Sequence, residues 1–233
     1  MSTTFAGNGA HWTYWGHAGA AHWAELEQDL LACKTGTNQS PINIEARKVK
    51  PGPLKPINFA YQDTDAEVVN NGHTIQVNLE QTGKTAFASS DYTPVQFHFH
   101  TPSEEKINGQ TYPMVAHVVH KNAEGKLAVV AVLFKQGKHN AAMKTVFDNL
   151  PAKEGEVSKL DAPFNLDAML PANRAYYKFT SSLTTPCSED VSWHVLESPV
   201  EPSVAQIAVF RRLYAMNARP VQPLNGRVVE LRK

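Results

Sequence analysis

Ten histidines stand in this 233-residue chain, and three of them fall where one metal ion could collect them. In Val95-Gln-Phe-His-Phe-His100 the two-residue period of a strand puts Gln96, His98 and His100 on one face and Phe97 and Phe99 on the other. His117 follows 17 residues later in Met114-Val-Ala-His-Val-Val-His120, sharing its face with Val115 and Val119. A tetrahedral zinc takes imidazole nitrogens at about 2 Å, and a neighbouring strand can bring a third ring to a His-x-His pair. Three neutral nitrogen ligands with no cysteine leave a coordination position open, which suits a catalytic site better than a structural one. The residues alone also allow the plainer outcome, strand histidines that are simply hydrogen-bonded.

The elements that must carry these rings are mostly strands. Glu67–Leu79, Val95–His100, Met114–His120, Leu127–Phe134, Ala175–Thr180 and Val191–Leu196 are β-branched or aromatic runs bounded by turn residues. Lys121-Asn-Ala-Glu-Gly125 reads as a hairpin loop between two of them. Helical periodicity is confined to Ala21–Leu31, Ala141–Leu150 and Ser203–Met216, the last with Ser203 as N-cap and Ile207, Phe210, Leu213 and Tyr214 as its apolar stripe. With few helices between strands, the sheet should be largely antiparallel. The expectation is a mainly β (α+β) fold. A single domain over residues 1–233 is built on a large, mostly antiparallel twisted central sheet with a few short peripheral helices.

Composition narrows the partners. Lys+Arg and Asp+Glu both number 22, so no basic excess exists to neutralise nucleic-acid phosphates. The longest apolar run, Leu127–Phe134, is far short of the roughly 20 residues of a membrane span. Met1-Ser-Thr-Thr-Phe-Ala-Gly-Asn8 has neither a basic start nor an apolar stretch, so it does not read as an export signal. The two cysteines, Cys33 and Cys187, are on count alone either buried thiols or a bridge closing a very long loop.

Seven segments in order resemble the α-class carbonic anhydrases, in their bacterial branch, from one end of the chain nearly to the other. They are His11-Trp-Thr-Tyr-Trp-Gly16, Gln39-Ser-Pro-Ile-Asn-Ile44, Asn70-Asn-Gly-His73, Gln96-Phe-His-Phe-His100, Pro102-Ser-Glu104, Ser182-Leu-Thr-Thr-Pro186 and Asn217-Ala-Arg-Pro-Val-Gln-Pro-Leu-Asn-Gly-Arg227. The resemblance implies a zinc enzyme for reversible hydration of CO2 to bicarbonate and a proton, with zinc on His98, His100 and His117. Bound hydroxide would attack CO2, oriented by Thr184, whose hydroxyl donates to Glu104. Val119, Val129, Leu183, Thr185, Val191 and Trp193 would line the CO2 slot. His73 would export the proton, with Tyr14, Asn71 and Gln76 holding the waters between. Strict alternation sets His73 and Gln76 on opposite faces, so the chain must break its period there. Gln96 would support a zinc histidine from outside. The remaining histidines (His11, His17, His22, His120, His139 and His194) are assigned to structure or surface.

The resemblance further implies a Cys33–Cys187 disulfide, hence a periplasmic or secreted protein, and raises a homodimer as an expectation. Three departures from the family stand out. Val115 occupies a position usually held by a Glu that accepts the third zinc histidine's other N–H. Glu105 stands where His is common, and it is expected to supply that missing carboxylate, the alternative being a solvated side chain. Thr184-Thr-Pro-Cys187 has one proline fewer than usual, with the expected loss of a cis prolyl bond. A rival from another class is a non-catalytic binding module on the same fold. Retention of all three zinc histidines with Thr184, Glu104 and His73 speaks against it, and ester hydrolysis would be a side activity.

Overall fold

The computed structural model describes residues 11–80, 82–88 and 90–233, so the start at Met1–Asn8 lies outside the described residues. Among the described residues twelve strands form one sheet. Its main path runs Val157–Lys159, Ala66–Asn70, Ile75–Leu79, Ser90–His100, Met114–Lys121, Leu127–Phe134, Val191–Leu196, Tyr176–Ser181, Glu230–Arg232 and Lys50–Pro51. Asn58–Tyr61 and Gly83–Phe87 pair beside the start of the long Ser90–His100 strand. Neighbours are antiparallel except Leu127–Phe134 with Val191–Leu196 and Glu230–Arg232 with Lys50–Pro51. A three-stranded sheet of Asn43–Ile44, Lys106–Ile107 and Gln110–Thr111 stands apart. The mostly antiparallel central sheet is therefore as the sequence indicated.

Alternation gives this sheet two apolar faces. Phe97, Phe99, Met114, Ala116, Val118 and Phe134 point to one side, where they pack with Met143 and Phe147 of the Ala141–Phe147 helix and Phe210 of the Val204–Leu213 helix. Each fully buried side chain of this kind contributes about 1.5–3 kcal/mol. Val115, Val119, Val129, Ala131, Trp193 and Val195 point to the other side. A one-residue slip would exchange the two sets, so burial of both fixes the register. That register places Gln76, His98, His117 and Ala131 opposite one another in a single row, with Asn78, Gln96, Val119, Val129 and Trp193 in the next.

Several expected elements are shorter than their sequence patterns. Glu67–Leu79 divides into Ala66–Asn70 and Ile75–Leu79, because Asn71 Oδ1 accepts from the backbone N–H groups of His73 and Thr74 while Gly72 takes φ +84°. Glycine tolerates that backbone, and the turn supplies the break in period that His73 needs. Ala21–Leu31 splits into Trp23–Leu26 and a 3-10 turn at Gln28–Leu30, since Glu27 is extended. The Val204–Leu213 helix starts at a reciprocal box, with Ser203 Oγ accepting from Gln206 N and Gln206 Oε1 accepting from Ser203 N. The hairpin at Asn122–Lys126 forms as read, with Gly125 at φ +81°.

His120 and His194 are buried in the first face. His120 Nε2 is 2.9 Å from the Tyr61 hydroxyl, and the His194 ring stacks on Phe87 at 4.4 Å. Burial lowers His120 to about 4, and burial together with Lys178 and His120 lowers His194 to about 3, against 6.5 for the free side chain. Unfolding releases both rings to take up protons below pH 6.5. Their contribution to stability is therefore full above that pH and is lost progressively as pH falls toward 4 and 3. Thermal unfolding followed from pH 7 to pH 4 should show a falling midpoint, with a shallower fall in His194→Ile. An equal fall in both would remove His194 from this account.

Candidate metal and catalytic site

Three rings converge on the second face. The Nδ1 of His98 lies 2.9 Å from Gln96 Oε1, that of His100 2.7 Å from the Asn217 carbonyl oxygen, and the Nε2 of His117 3.0 Å from Glu105 Oε2. Each ring therefore donates outward and keeps its second nitrogen as an acceptor: Nε2 of His98, Nε2 of His100 and Nδ1 of His117. One ligand nitrogen from each falls within 4.8 Å of the others. Among the described residues His100 Nε2 is buried with no hydrogen-bond partner, and so is Glu104 Oε2, which lies 3.6 Å from it. An unpartnered buried acceptor costs about 1–3 kcal/mol unless something binds it. Three convergent imidazole acceptors of this kind fit a zinc ion.

Electrostatics follow the burial. Desolvation, with His117 nearby, lowers His98 to about 3, and desolvation likewise lowers His100. For His117, burial pulls down, but the Glu105 and Glu104 carboxylates outweigh it and leave the ring raised. Burial raises Glu104 to about 7. Glu104 Oε1 accepts from Arg219 N at 2.7 Å, leaving Oε2 toward the histidines.

Most of the residues that the resemblance assigns to the CO2 slot lie in one apolar cluster. Val119, Val129, Val191 and Trp193 are buried together with Leu183 packed against them, and the Trp193 ring meets His117 edge-on at 4.9 Å. Trp193 Nε1 also donates to Ser182 O, tying down the loop that carries Leu183, Thr184 and Thr185. Thr184 is buried, but among the described residues no bond joins its hydroxyl to Glu104, so that part of the expected arrangement is not formed here. The expected loss of a cis prolyl bond is also corrected, since Thr185–Pro186 is cis. Cys33 and Cys187 are disulfide-bonded, joining the Ala32–Thr35 helix to this loop.

His73 sits on the turn after Asn70. Asn71 Nδ2 is 3.5 Å from Gln76 Oε1, and Gln76 Nε2 donates to Asn78 Oδ1 at 2.6 Å, so two of the three expected water-holding residues, Asn71 and Gln76, form a polar string that ends on Asn78. Tyr14 is half-buried beside His100, ring to ring at 6.4 Å. The His73 ring stacks on Trp12 at 3.7 Å, and His11 stands 5.4 Å away. His11 is exposed, as assigned, and lies beside His73. Asn217 and Arg219 had no assigned role in the sequence. Asn217 Nδ2 donates to both Phe99 O and His73 O, and Arg219 bonds Gln39, Ser40 O and Cys33 O. Their motif was visible, but partners more than 100 residues away carry no local signal.

Comparison with known proteins agrees with this geometry. A family profile described as eukaryotic-type carbonic anhydrase matches residues 18–233. The chain belongs to that family. A carbonic anhydrase of Pectobacterium carotovorum is 41% identical over 226 residues, spanning 96% of this chain and 92% of the relative. One from Neisseria gonorrhoeae is 44% identical, spanning 98% and 91%. The solved α-carbonic anhydrase of Thermovibrio ammonificans, in complex with the inhibitor sulfanilamide, superposes with a TM-score of 0.93 at 43% identity, covering 96% of this chain and all of that one. This carbonic anhydrase family member thus shares its fold with the solved bacterial relative.

In the stacked position, burial and the neighbouring His11 lower His73 to about 4. Trp12→Ala should uncover the ring and raise its pKa by one to two units toward 6.5, read from a pH titration of the His73 imidazole resonances. An unchanged value would show that Trp12 is not the source of the burial.

Proposed function

We propose that the protein catalyses reversible hydration of CO2 to bicarbonate and a proton with zinc held by His98 Nε2, His100 Nε2 and His117 Nδ1. The observation that carries this reading is the set of three rings, His100 and His117 buried and His98 half-buried, each with its outer nitrogen bonded and its inner nitrogen turned to a common point beside an apolar wall. A zinc ion bound there supplies the charge that lets water ionise near neutral pH, the behaviour for which carbonic anhydrase is the standard example. Three neutral ligands leave that charge undiminished.

The surrounding residues divide the remaining work. CO2 has no net dipole and no hydrogen to donate, so Val119, Val129, Leu183, Val191 and Trp193 suit it, with Thr185 on the same loop. Glu104 Oε2 is the free acceptor facing the histidines, and a rotated Thr184 hydroxyl is the donor assigned to it. That pairing would fix the direction in which the Thr184 oxygen accepts a hydrogen bond from the attacking oxygen. His73 is the group assigned to carry protons outward along Tyr14, Asn71 and Gln76. A ring lowered to about 4 is a poor acceptor near pH 7, so His73 must leave the Trp12 stack to serve.

The disulfide supports an oxidising compartment, and we place the protein in the periplasm or outside the cell. Among the described residues no helix is long and apolar enough to cross a membrane.

Stopped-flow CO2 hydration by chelator-stripped protein should rise with added zinc and saturate at one equivalent per chain. His117→Ala should lose zinc and rate together, by more than the roughly 10–100-fold typical of removing an outer partner. Full zinc uptake without hydration would support the binding-module alternative instead.

A further inference from the structure

His117 makes its outer hydrogen bond to a loop and not to its own strand. The residues beside it on its own strand face, Val115 and Val119, offer no acceptor, and both are buried. The acceptor is Glu105, twelve residues earlier, whose Oε2 reaches Nε2 at 3.0 Å with both side chains buried. Glu105 is held in place by its backbone. Ser103 Oγ donates to Glu105 O at 2.8 Å and accepts from Tyr112 N at 2.9 Å, while Ser103 N donates to Tyr112 O. The next residue, Lys106, donates its N–H to Ile42 O. The preceding residue, Glu104, sends Oε2 to within 3.9 Å of Nδ1 of the same ring. Two consecutive carboxylates of one short loop therefore address the two nitrogens of one imidazole.

We propose that Glu105 is the positioning residue that fixes the tautomer of His117 and aims its Nδ1 at the metal, and that Glu105 and Val115 form a matched pair. The inference rests on the zinc reading above. With Val115 on the strand, one buried carboxylate serves the outer nitrogen, and it comes from the loop. A second carboxylate at position 115 would crowd another anion against the same ring, whereas the same change without the Glu105 charge would restore a single partner. The two positions are then coupled, each substitution being worse alone than both together.

The test compares zinc release to excess chelator from wild-type, Glu105→Gln, Val115→Glu and Val115→Glu/Glu105→Gln holoproteins, with thermal unfolding of each zinc-free form. Glu105→Gln keeps the side-chain shape and should release zinc about 10–100-fold faster. Val115→Glu alone should lower the zinc-free unfolding midpoint, and the double variant should recover most of the lost zinc retention. Wild-type release from Glu105→Gln, or a double variant no better than that single one, would overturn the proposal. Failure of the wild type to take up zinc would count against the metal reading. The proposal would then be read in zinc-free protein from ¹⁵N-histidine spectra, where an Nε2–H tautomer of His117 that persists unchanged in Glu105→Leu, which offers no acceptor, would overturn it.

Discussion

A neutral imidazole taken out of water has one N–H to place and one lone pair to offer, and the site depends on that constraint being met three times. Gln96, the Asn217 carbonyl and Glu105 each take one N–H. Leaving any of them unmet costs about 1–3 kcal/mol and frees the ring to turn. The three acceptors differ in kind. Gln96 comes from the same strand face as its histidine, Glu105 from the loop that follows that strand, and Asn217 from a segment 117 residues beyond His100. Satisfying the rings therefore recruits distant parts of the chain.

Asn217 shows how far this recruitment extends. Its carbonyl holds His100, its Oδ1 accepts from Thr101 N, and its Nδ2 donates to Phe99 O and His73 O. One buried side chain thereby ties the ligand strand to the turn that carries His73. Two residues on, Arg219 bonds Glu104 through its backbone and Gln39, Ser40 and Cys33 through its guanidinium, which also lies 5.6 Å over Trp23. Burial lowers even this guanidinium to about 10. The disulfide segment, the Trp23 cluster and the Glu104 carboxylate are thus held by one cation with several partners, the condition under which a buried charge is tolerated.

What the sequence made legible was whatever repeats locally. Period two in residues 95–100 and 114–120 correctly separated the ligand face from the phenylalanine face, and Ser203 with Gln206 correctly marked a helix start. Patterns that ran through a turn were read as too long, because the capping done by Asn71 and the extended Glu27 are single-residue events inside apolar or helical stretches. The disulfide came only through resemblance, since two cysteines 154 residues apart offer no local clue. Asn217, Arg219 and the stacking of Trp12 on His73 were not assigned at all. Their roles exist only once the sheet has brought remote segments together. Glu105 was legible as an anomaly beside Val115, and the structure gives it a partner.

The central claim is that three strand-borne rings, held in fixed tautomers, present Nε2, Nε2 and Nδ1 to one ion. The most direct measurement is anomalous diffraction at the zinc edge from crystals of zinc-loaded protein. The account predicts one full peak per chain, about 2.0–2.1 Å from His98 Nε2, His100 Nε2 and His117 Nδ1, with the fourth position free of protein. A peak that lacks any of the three rings, or that takes Glu104 or Glu105 as a ligand in place of one, would contradict it.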